Sequence, residues 1–208
     1  MTAALQSSLF DLADEVTVGS LAGLTREPLD RGAWVDVLPG WLSGADTLFD
    51  QLVERVPWRA ERRAMYERVV DVPRLLCFYD EHDPLPHPGL TVAREALTHH
   101  YEPELREPFA TAGLCLYRDG RDSVAWHGDT IGRGKSEDTM VAIVSLGAVR
   151  SLVLRPRGGG LTIKKRLGPG DLIVMGGSCQ RTWEHAIPKT ALPVGPRISI
   201  QFRPRGVR

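Results

Sequence analysis

In Trp126-His127-Gly128-Asp129 an imidazole and a carboxylate stand two residues apart. On an extended strand that spacing puts both side chains on one face, with Cβ atoms about 6 to 7 Å apart. One metal ion bonded at about 2.1 Å to each would close the gap. A second imidazole from another strand would complete a two-His, one-carboxylate set. His185, in Trp183-Glu184-His185-Ala186, is the candidate. Such a set leaves three adjacent coordination positions open, which suits non-haem Fe(II) and O2 chemistry. The motif alone is weak, because a chain with 6 His gives about 0.4 His-x-Asp pairs by chance. Order, spacing and context carry the weight.

A second constellation lies in Arg197-Ile198-Ser199-Ile200-Gln201-Phe202-Arg203. As a strand it turns Ile198, Ile200 and Phe202 one way and Arg197, Ser199, Gln201 and Arg203 the other. A strand whose inner face carries two guanidiniums is not an ordinary core strand, since buried charge is costly unless paired. The two arginines lie about 20 Å apart along it. Leaning together they leave room for a small dianion with a carboxylate at each end, the group that planar guanidiniums bind bidentately. The competing reading is a solvent-exposed basic strand.

The elements that must position these groups follow from periodicity. Residues 1–30 read as an arm with short strands, and Ala33–Trp41 as a strand ending in a Pro39-Gly40 turn. Leu48, Phe49, Leu52, Val53 and Val56 recur at helical spacing, predicting a helix from Ser43 to Val56 that Ser43 or Asp46 caps and Pro57 ends. Trp58–Val70 is Arg-rich, with Trp58, Met65 and Tyr66 as its bulky members; it reads equally as an outer lid touching phosphates or as a plain surface helix. Asp71–Tyr79 reads as a strand, Asp80–Gly89 as a Pro-rich loop, and Thr91–Glu102 as a second helix. From residue 109 the pattern changes to short strands at about ten-residue spacing, broken by glycine turns, which means a sandwich or jelly roll. The expected fold class is α+β, with a jelly-roll core over 109–208. The N-terminal arm, helices and lid span 1–108, all within one domain.

Composition narrows the class of partner. No apolar run approaches a membrane span and the N-terminus has no basic-then-apolar signal segment, so a cytoplasmic monomer with no membrane association is expected. Cys77, Cys115 and Cys179 form no Cys-x-x-Cys pair and read as reduced, mostly buried thiols. The net charge of zero hides a split: residues 1–149 carry 14 Lys+Arg against 24 Asp+Glu, while 150–208 carry 12 against 2. That asymmetry fits either an anionic partner on the basic part or attraction between the two parts on folding.

Taken together, His127-x-Asp129, then His185, then Arg197 and Arg203 resemble the AlkB family of Fe(II)- and 2-oxoglutarate-dependent dioxygenases. The resemblance continues through Leu116-Tyr117-Arg118-Asp119-Gly120, Val144–Ala148, Gly170–Gly177, Trp183-Glu184-His185-x-Ile187-Pro188-Lys189 and Pro196-Arg197-x5-Arg203, covering about residues 70–205. It implies a double-stranded β-helix (jelly roll) with a nucleotide-recognition lid. It also implies Fe(II) on His127, Asp129 and His185, and 2-oxoglutarate and O2 as co-substrates. Arg197 and Tyr117 would bind the distal carboxylate of 2-oxoglutarate, with Arg203 near the proximal one. The implied reaction is oxidative removal of N-alkyl groups from nucleobases in DNA or RNA, a direct repair. On the substrate side, Val72-Pro73-Arg74-Leu75 followed by Tyr79 resembles the start of the family's lid, where an aromatic stacks on a flipped base. Trp126, Arg150, Tyr66 and Trp58 are the further substrate-side candidates; Tyr79 also reads as a core residue at a strand end. Cys115-Leu116-Tyr117 departs from the Asn-x-Tyr of many relatives. Thr130-Ile131 stands where many carry a further acid that contacts the base. Two alternatives remain: a 2-oxoglutarate oxygenase acting on a protein or small molecule, and a non-catalytic jelly-roll binding protein.

Overall fold

The computed structural model describes residues 15–65 and 68–207, and the backbone alone where these cover positions 63–71. Residues 1–14 of the expected arm, and Tyr66, lie outside the described residues. The chain begins with β1 (Thr17–Val18), β2 (Thr25–Pro28), β3 (Ala33–Leu38) and β4 (Leu42–Ser43). Helix α1 (Ala45–Arg55), the hairpin of β5 (Arg59–Met65) and β6 (Arg68–Tyr79), and helix α2 (Pro88–Leu105) follow. Next come β7 (Phe109–Tyr117), β8 (Val124–His127), β9 (Val141–Gly147), β10 (Arg150–Pro156), β11 (Ile163–Leu167) and β12 (Leu172–Gly177). The short α3 (Cys179–Thr182), β13 (Trp183–Ile187) and β14 (Arg197–Pro204) complete the described chain.

Eight strands form a large antiparallel sheet in the order β2-β3-β12-β9-β14-β7-β6-β5, and four form a small one, β11-β10-β13-β8. One apolar cluster fills the space between the two sheets, with Val35, Ile143, Ile173 and Met175 from the large sheet against Leu152, Leu154, Trp183 and Ile187 from the small one. A second cluster lies on the other side of the large sheet, where Leu48 and Leu52 of α1 and Leu90, Leu97 and Tyr101 of α2 meet Leu114, Ile198, Ile200 and Phe202. This is the jelly-roll architecture with helices packed outside it. Strand β14 is therefore buried on both faces: Ile198, Ile200 and Phe202 are fully covered on the helix side, while Arg197, Ser199 and Gln201 are buried on the sandwich side.

Local structure departs from expectation in three places. Helix α1 starts after Gly44, which sits at φ 69° with no side-chain cap, rather than on a Ser43 or Asp46 cap. A Cβ there would lie 2.6 Å from the Glu15 carbonyl oxygen, so close backbone approach outranks capping. Helix α2 begins three residues earlier than Thr91, because Pro88 at its first turn is pre-set for helix and the His87 Nδ1 accepts from the Gly89 N–H at 2.9 Å. The Arg-rich stretch after Trp58 is the edge strand β5, paired with β6, and not a surface helix. Its backbone hydrogen bonds go to a neighbouring strand, a partner that local periodicity does not reveal.

The charge split resolves partly into ion pairs between the two parts of the chain: Lys165–Glu27, Arg181–Asp138, Arg205–Glu81 and Arg203–Asp129. None of the three cysteines forms a disulfide, and Cys179 alone of them is fully buried. Among the described residues no helix is long and apolar enough to cross a membrane.

One glycine locks the start of the sheet. Gly176 pairs with Trp34 across β12 and β3, and a Cβ on it would come within 2.1 Å of the indole ring. That ring also stacks on Tyr101 and lies under the Arg26 guanidinium, whose Nε donates to Asp36. Gly176→Ala is expected to destabilise the protein by about 1–3 kcal/mol in urea denaturation. The double variant with Trp34→Ala should lose less than the sum of the two single losses, because the clash goes with the ring.

Candidate metal centre

The small sheet supplies both imidazoles. His185 of β13 is paired directly with His127 of β8, and their ring centroids are 4.2 Å apart. The carbonyl oxygen of Ala125, which can only accept, lies 2.9 Å from the His127 Nδ1, so that nitrogen carries the proton and Nε2 presents its lone pair. Strand β8 ends at His127, and Asp129 sits in the following turn rather than on the same strand face. Two backbone bonds shape that turn: Thr130 N–H to the Gly128 carbonyl at 2.8 Å, and Asp129 N–H to the Gln180 side-chain oxygen at 2.9 Å. Gly128 has no room for a side chain, since a Cβ would meet the Gln180 carbonyl oxygen at 2.4 Å. The chain thus crosses from strand to turn in contact with α3, and this aims the carboxylate back at the rings.

One ligand atom from each of His127, Asp129 and His185 lies within 4.8 Å of the others. His127 Nε2 is 3.8 Å from Asp129 Oδ1. A metal bonded at about 2.1 Å needs adjacent donors roughly 3 Å apart, so small side-chain rotations complete a set that the backbone has already brought together. The other carboxylate oxygen, Oδ2, is held by the Arg203 Nε at 2.8 Å. Burial pushes the Asp129 carboxyl up, but the Arg203 guanidinium and the two imidazoles outweigh it and hold the group down at about 2. Burial, and His127 beside it, push the His185 imidazole down to about 3 against the pull of Asp129. Both groups are therefore in the form that ligates a metal near neutral pH.

A few residues away on the large sheet stands a buried cationic pocket. Arg197 is 1% exposed and pairs in register with Tyr117 of β7. Its Nε donates to the Ser145 hydroxyl at 2.9 Å, its guanidinium carbon is 5.3 Å from the Tyr117 ring, and its Nη1 is buried without any partner. Burial pushes the Tyr117 hydroxyl up to about 12, so it is a neutral donor. An orphaned guanidinium N–H beside a phenol calls for an acidic oxygen acceptor, and a carboxylate fits. Between Arg197 and Arg203 run Ser199 and Gln201, with the Gln201 amide donating to Ser199 and Cys115 on the facing strand donating to the Gln201 oxygen. Gly113 leaves space here: a Cβ would come 2.9 Å from an Arg203 nitrogen. The donor set fits one divalent metal, and the pocket fits one end of a dicarboxylate.

The substrate-side candidates are dispersed. Tyr79 pairs with Ala112, on the helix-facing side of the large sheet, and packs against the cluster under α1 and α2 together with Leu75 and Cys77. The intervening residues Leu76 and Phe78 pair with Cys115 and Gly113 and so take the face that carries Arg197 and Arg203. Trp126, next to His127, is turned to the outer face of the small sheet, where the Arg155 guanidinium lies 4.1 Å from its ring. Trp58 packs on the helix-side core, and its indole N–H donates to the Leu52 carbonyl. Arg150 is buried near Tyr117, but its donors are engaged by the carbonyls of Asp119, Asp122 and Pro188. Sequence reasoning missed Gln180, Ser145 and Phe78. Gln180 carries no motif, Ser145 lies within the Val144–Ala148 stretch with nothing local to mark its contact with Arg197, and Phe78 sits in the run Leu75–Tyr79, whose unbroken apolar character hides which face is which.

A depressed imidazole pKa has a stability consequence in the metal-free protein. The unfolded chain takes up a proton at His185 near pH 6.5 and the folded one only near 3, so this contribution is present above 6.5 and is lost as pH falls toward 3. Urea denaturation of the metal-free protein should show about 2 kcal/mol lost from this site between pH 7.5 and 5. His185→Asn is expected to flatten that part of the profile; an unchanged slope would refute the assignment.

Residues 35–203 match the 2OG-Fe(II) oxygenase superfamily. The bovine (Bos taurus) alpha-ketoglutarate-dependent dioxygenase alkB homolog 3 is 31% identical over 201 residues, covering 83% of this chain and 68% of that protein. Its Homo sapiens counterpart is 30% identical over 202 residues with the same coverage. The DNA oxidative demethylase ALKBH2 of Arabidopsis thaliana is 28% identical over 76% of this chain and 61% of its own length. Among solved structures, a Pseudomonas putida prolyl-4-hydroxylase superposes with a TM-score of 0.58 at 13% identity, covering 83% of this chain and 93% of that one, a likeness of fold. The imidazole pair, the turn carboxylate and the buried arginines all fall inside the matched span, and the chain belongs to the AlkB family of 2OG-Fe(II) oxygenases.

Proposed function

We propose that this protein is an Fe(II)- and 2-oxoglutarate-dependent dioxygenase that removes N-alkyl groups from nucleobases in DNA or RNA by oxidative dealkylation. The observation that carries the reading is the meeting of the His127, Asp129 and His185 donor atoms within 4.8 Å, together with a buried Arg197 guanidinium that keeps one N–H without an acceptor. His127 Nε2, Asp129 Oδ1 and a His185 ring nitrogen would hold the iron, and Arg203 fixes the second Asp129 oxygen, leaving the first free for it. Arg197 and Tyr117 receive the distal carboxylate of 2-oxoglutarate, and Arg203 stands toward the proximal end. Bound Fe(II) supplies the oxidation of the alkyl carbon by O2, with 2-oxoglutarate as the two-electron donor that leaves as succinate and CO2. The protein's share is positioning, desolvation and charge.

For the alkylated base we assign Phe78 as the stacking surface in place of Tyr79. Phe78 is 41% exposed, pairs with Gly113, and lies on the same sheet face as Arg203 and Gln201, whose side chains fill the space over that glycine. Membership in a family that includes alkB homolog 3 and a DNA oxidative demethylase supports a nucleic-acid substrate. The reduced cysteines and the lack of a spanning helix among the described residues support a cytoplasmic site of action, and we take the working unit to be a monomer with no membrane partner.

A panel of oligonucleotides carrying 1-methyladenine or 3-methylcytosine, incubated with Fe(II), 2-oxoglutarate and O2, should lose methyl mass and form succinate in step. Asp129→Ala should abolish both. Succinate formation that no oligonucleotide stimulates would move the substrate to a protein or small molecule, and none under any condition would leave a binding protein. Phe78→Ala is expected to raise the oligonucleotide KM by about tenfold, since base–aromatic stacking is worth about 1–3 kcal/mol. Tyr79→Phe should leave that KM near wild type.

A further inference from the structure

Tyr117 stands among guanidiniums: those of Arg197 and Arg150 lie 5.3 and 5.7 Å from its ring, and Arg74 acts on its hydroxyl as well. Arg150 is spent on three backbone carbonyls. The other two each keep a buried N–H without an acceptor: Nη1 of Arg197 and Nε of Arg74. Among the described residues Arg74 makes one hydrogen bond, from Nη1 to the Ser123 carbonyl at 3.1 Å. Ser123 in turn donates its backbone N–H to the Pro73 carbonyl, which fixes the strand at this point.

The register puts the two orphaned guanidiniums on either side of the phenol. Leu75 pairs with Leu116 and Leu76 with Cys115, so the residue before Leu75 falls at the level of Tyr117 and on its face of the sheet. Tyr117 pairs in turn with Arg197. Arg74, Tyr117 and Arg197 thus form one row across three adjacent strands, the outer two separated by about 10 Å, which is two strand spacings. A carboxylate over the phenol lies between two donors that nothing else satisfies. Without it, the protein keeps two buried N–H groups unpaired, each of which costs folding free energy.

We propose that Arg74 is a second cation for the distal carboxylate of the co-substrate, opposite Arg197. Because Arg74 belongs to β6 of the β5–β6 edge hairpin, it ties that hairpin to co-substrate occupancy. The proposal rests on the 2-oxoglutarate reading above. Its consequence is a coupling: a carboxylate held by Arg74 steadies β6, the strand that carries Phe78, in its existing pairing with β7.

The test uses the full chain loaded with Fe(II) under anaerobic conditions, with 2-oxoglutarate as the titrant in calorimetry. Wild type should bind, and Arg74→Gln should bind about tenfold more weakly or worse, the loss expected for a charge-assisted hydrogen bond. Arg74→Lys should fall between them. Thermal melting supplies the second readout. Without 2-oxoglutarate the Arg74→Gln protein should melt no lower than wild type, since a buried N–H without an acceptor has been removed, while the stabilisation conferred by 2-oxoglutarate shrinks. In hydrogen exchange, 2-oxoglutarate should slow the amides of residues 72–79 in wild type and not in the variant. Wild-type affinity in Arg74→Gln overturns the proposal. So does a variant that melts lower without ligand, because Arg74 would then be a brace for Ser123. A wild type that fails to bind 2-oxoglutarate sinks the co-substrate reading itself, and that result is read without any variant.

Discussion

Guanidinium groups inside a β-sandwich set the terms for this site. Strand β14 is covered on both sides, yet its inner face carries Arg197 and Arg203. Each must find negative charge or acceptors, because a guanidinium cannot shed its proton at any physiological pH. Arg203 finds the Asp129 carboxylate and in doing so fixes the orientation of a metal ligand. Arg197 finds only the Ser145 hydroxyl and remains one acceptor short. The difference between a satisfied and an unsatisfied arginine on one strand divides the site into an end that orients the Asp129 carboxylate and an end with a buried donor left unpaired.

The two ends are built by different sheets with different tolerances. The imidazoles come from neighbouring positions on β8 and β13, where cross-strand pairing alone brings their rings together. The carboxylate comes from a turn, which depends on a glycine with no room for a side chain and on the amide of a residue in α3. Strand pairing is robust to small changes in packing, whereas the turn is not. The metal set therefore combines a rigid pair with one ligand whose position is fixed by a handful of specific contacts.

Much of this was legible in the sequence because period-two alternation survives wherever a strand has two unlike faces. The polar and apolar residues of 197–203 sort cleanly, and the spacing of His127, Asp129 and His185 survives although Asp129 leaves the strand. The reading failed where alternation is absent. In Leu75-Leu76-Cys77-Phe78-Tyr79 every residue is apolar, and only the pairing with β7 shows that Tyr79 faces the helices and Phe78 the site. Trp126 is next to His127 in the chain, yet adjacent strand residues point to opposite faces, and its ring meets the Arg155 guanidinium on the outer one. The Arg-rich stretch after Trp58 gave no periodic signal, since an edge strand with solvent on one side has few positions that must be apolar. Gln180 and Ser145 enter through contacts at long sequence separation, which no local pattern encodes.

The metal-binding imidazoles belong to the four-stranded sheet and the cationic pocket to the eight-stranded one, joined at the site by the Arg203–Asp129 ion pair. Neither sheet alone contains the full set of groups. Any partly folded form in which the two layers have separated holds fragments of each function and the whole of neither. Such a species loses the ion pair that orients the Asp129 carboxylate, so the three-ligand set is complete only once the two layers have closed on each other.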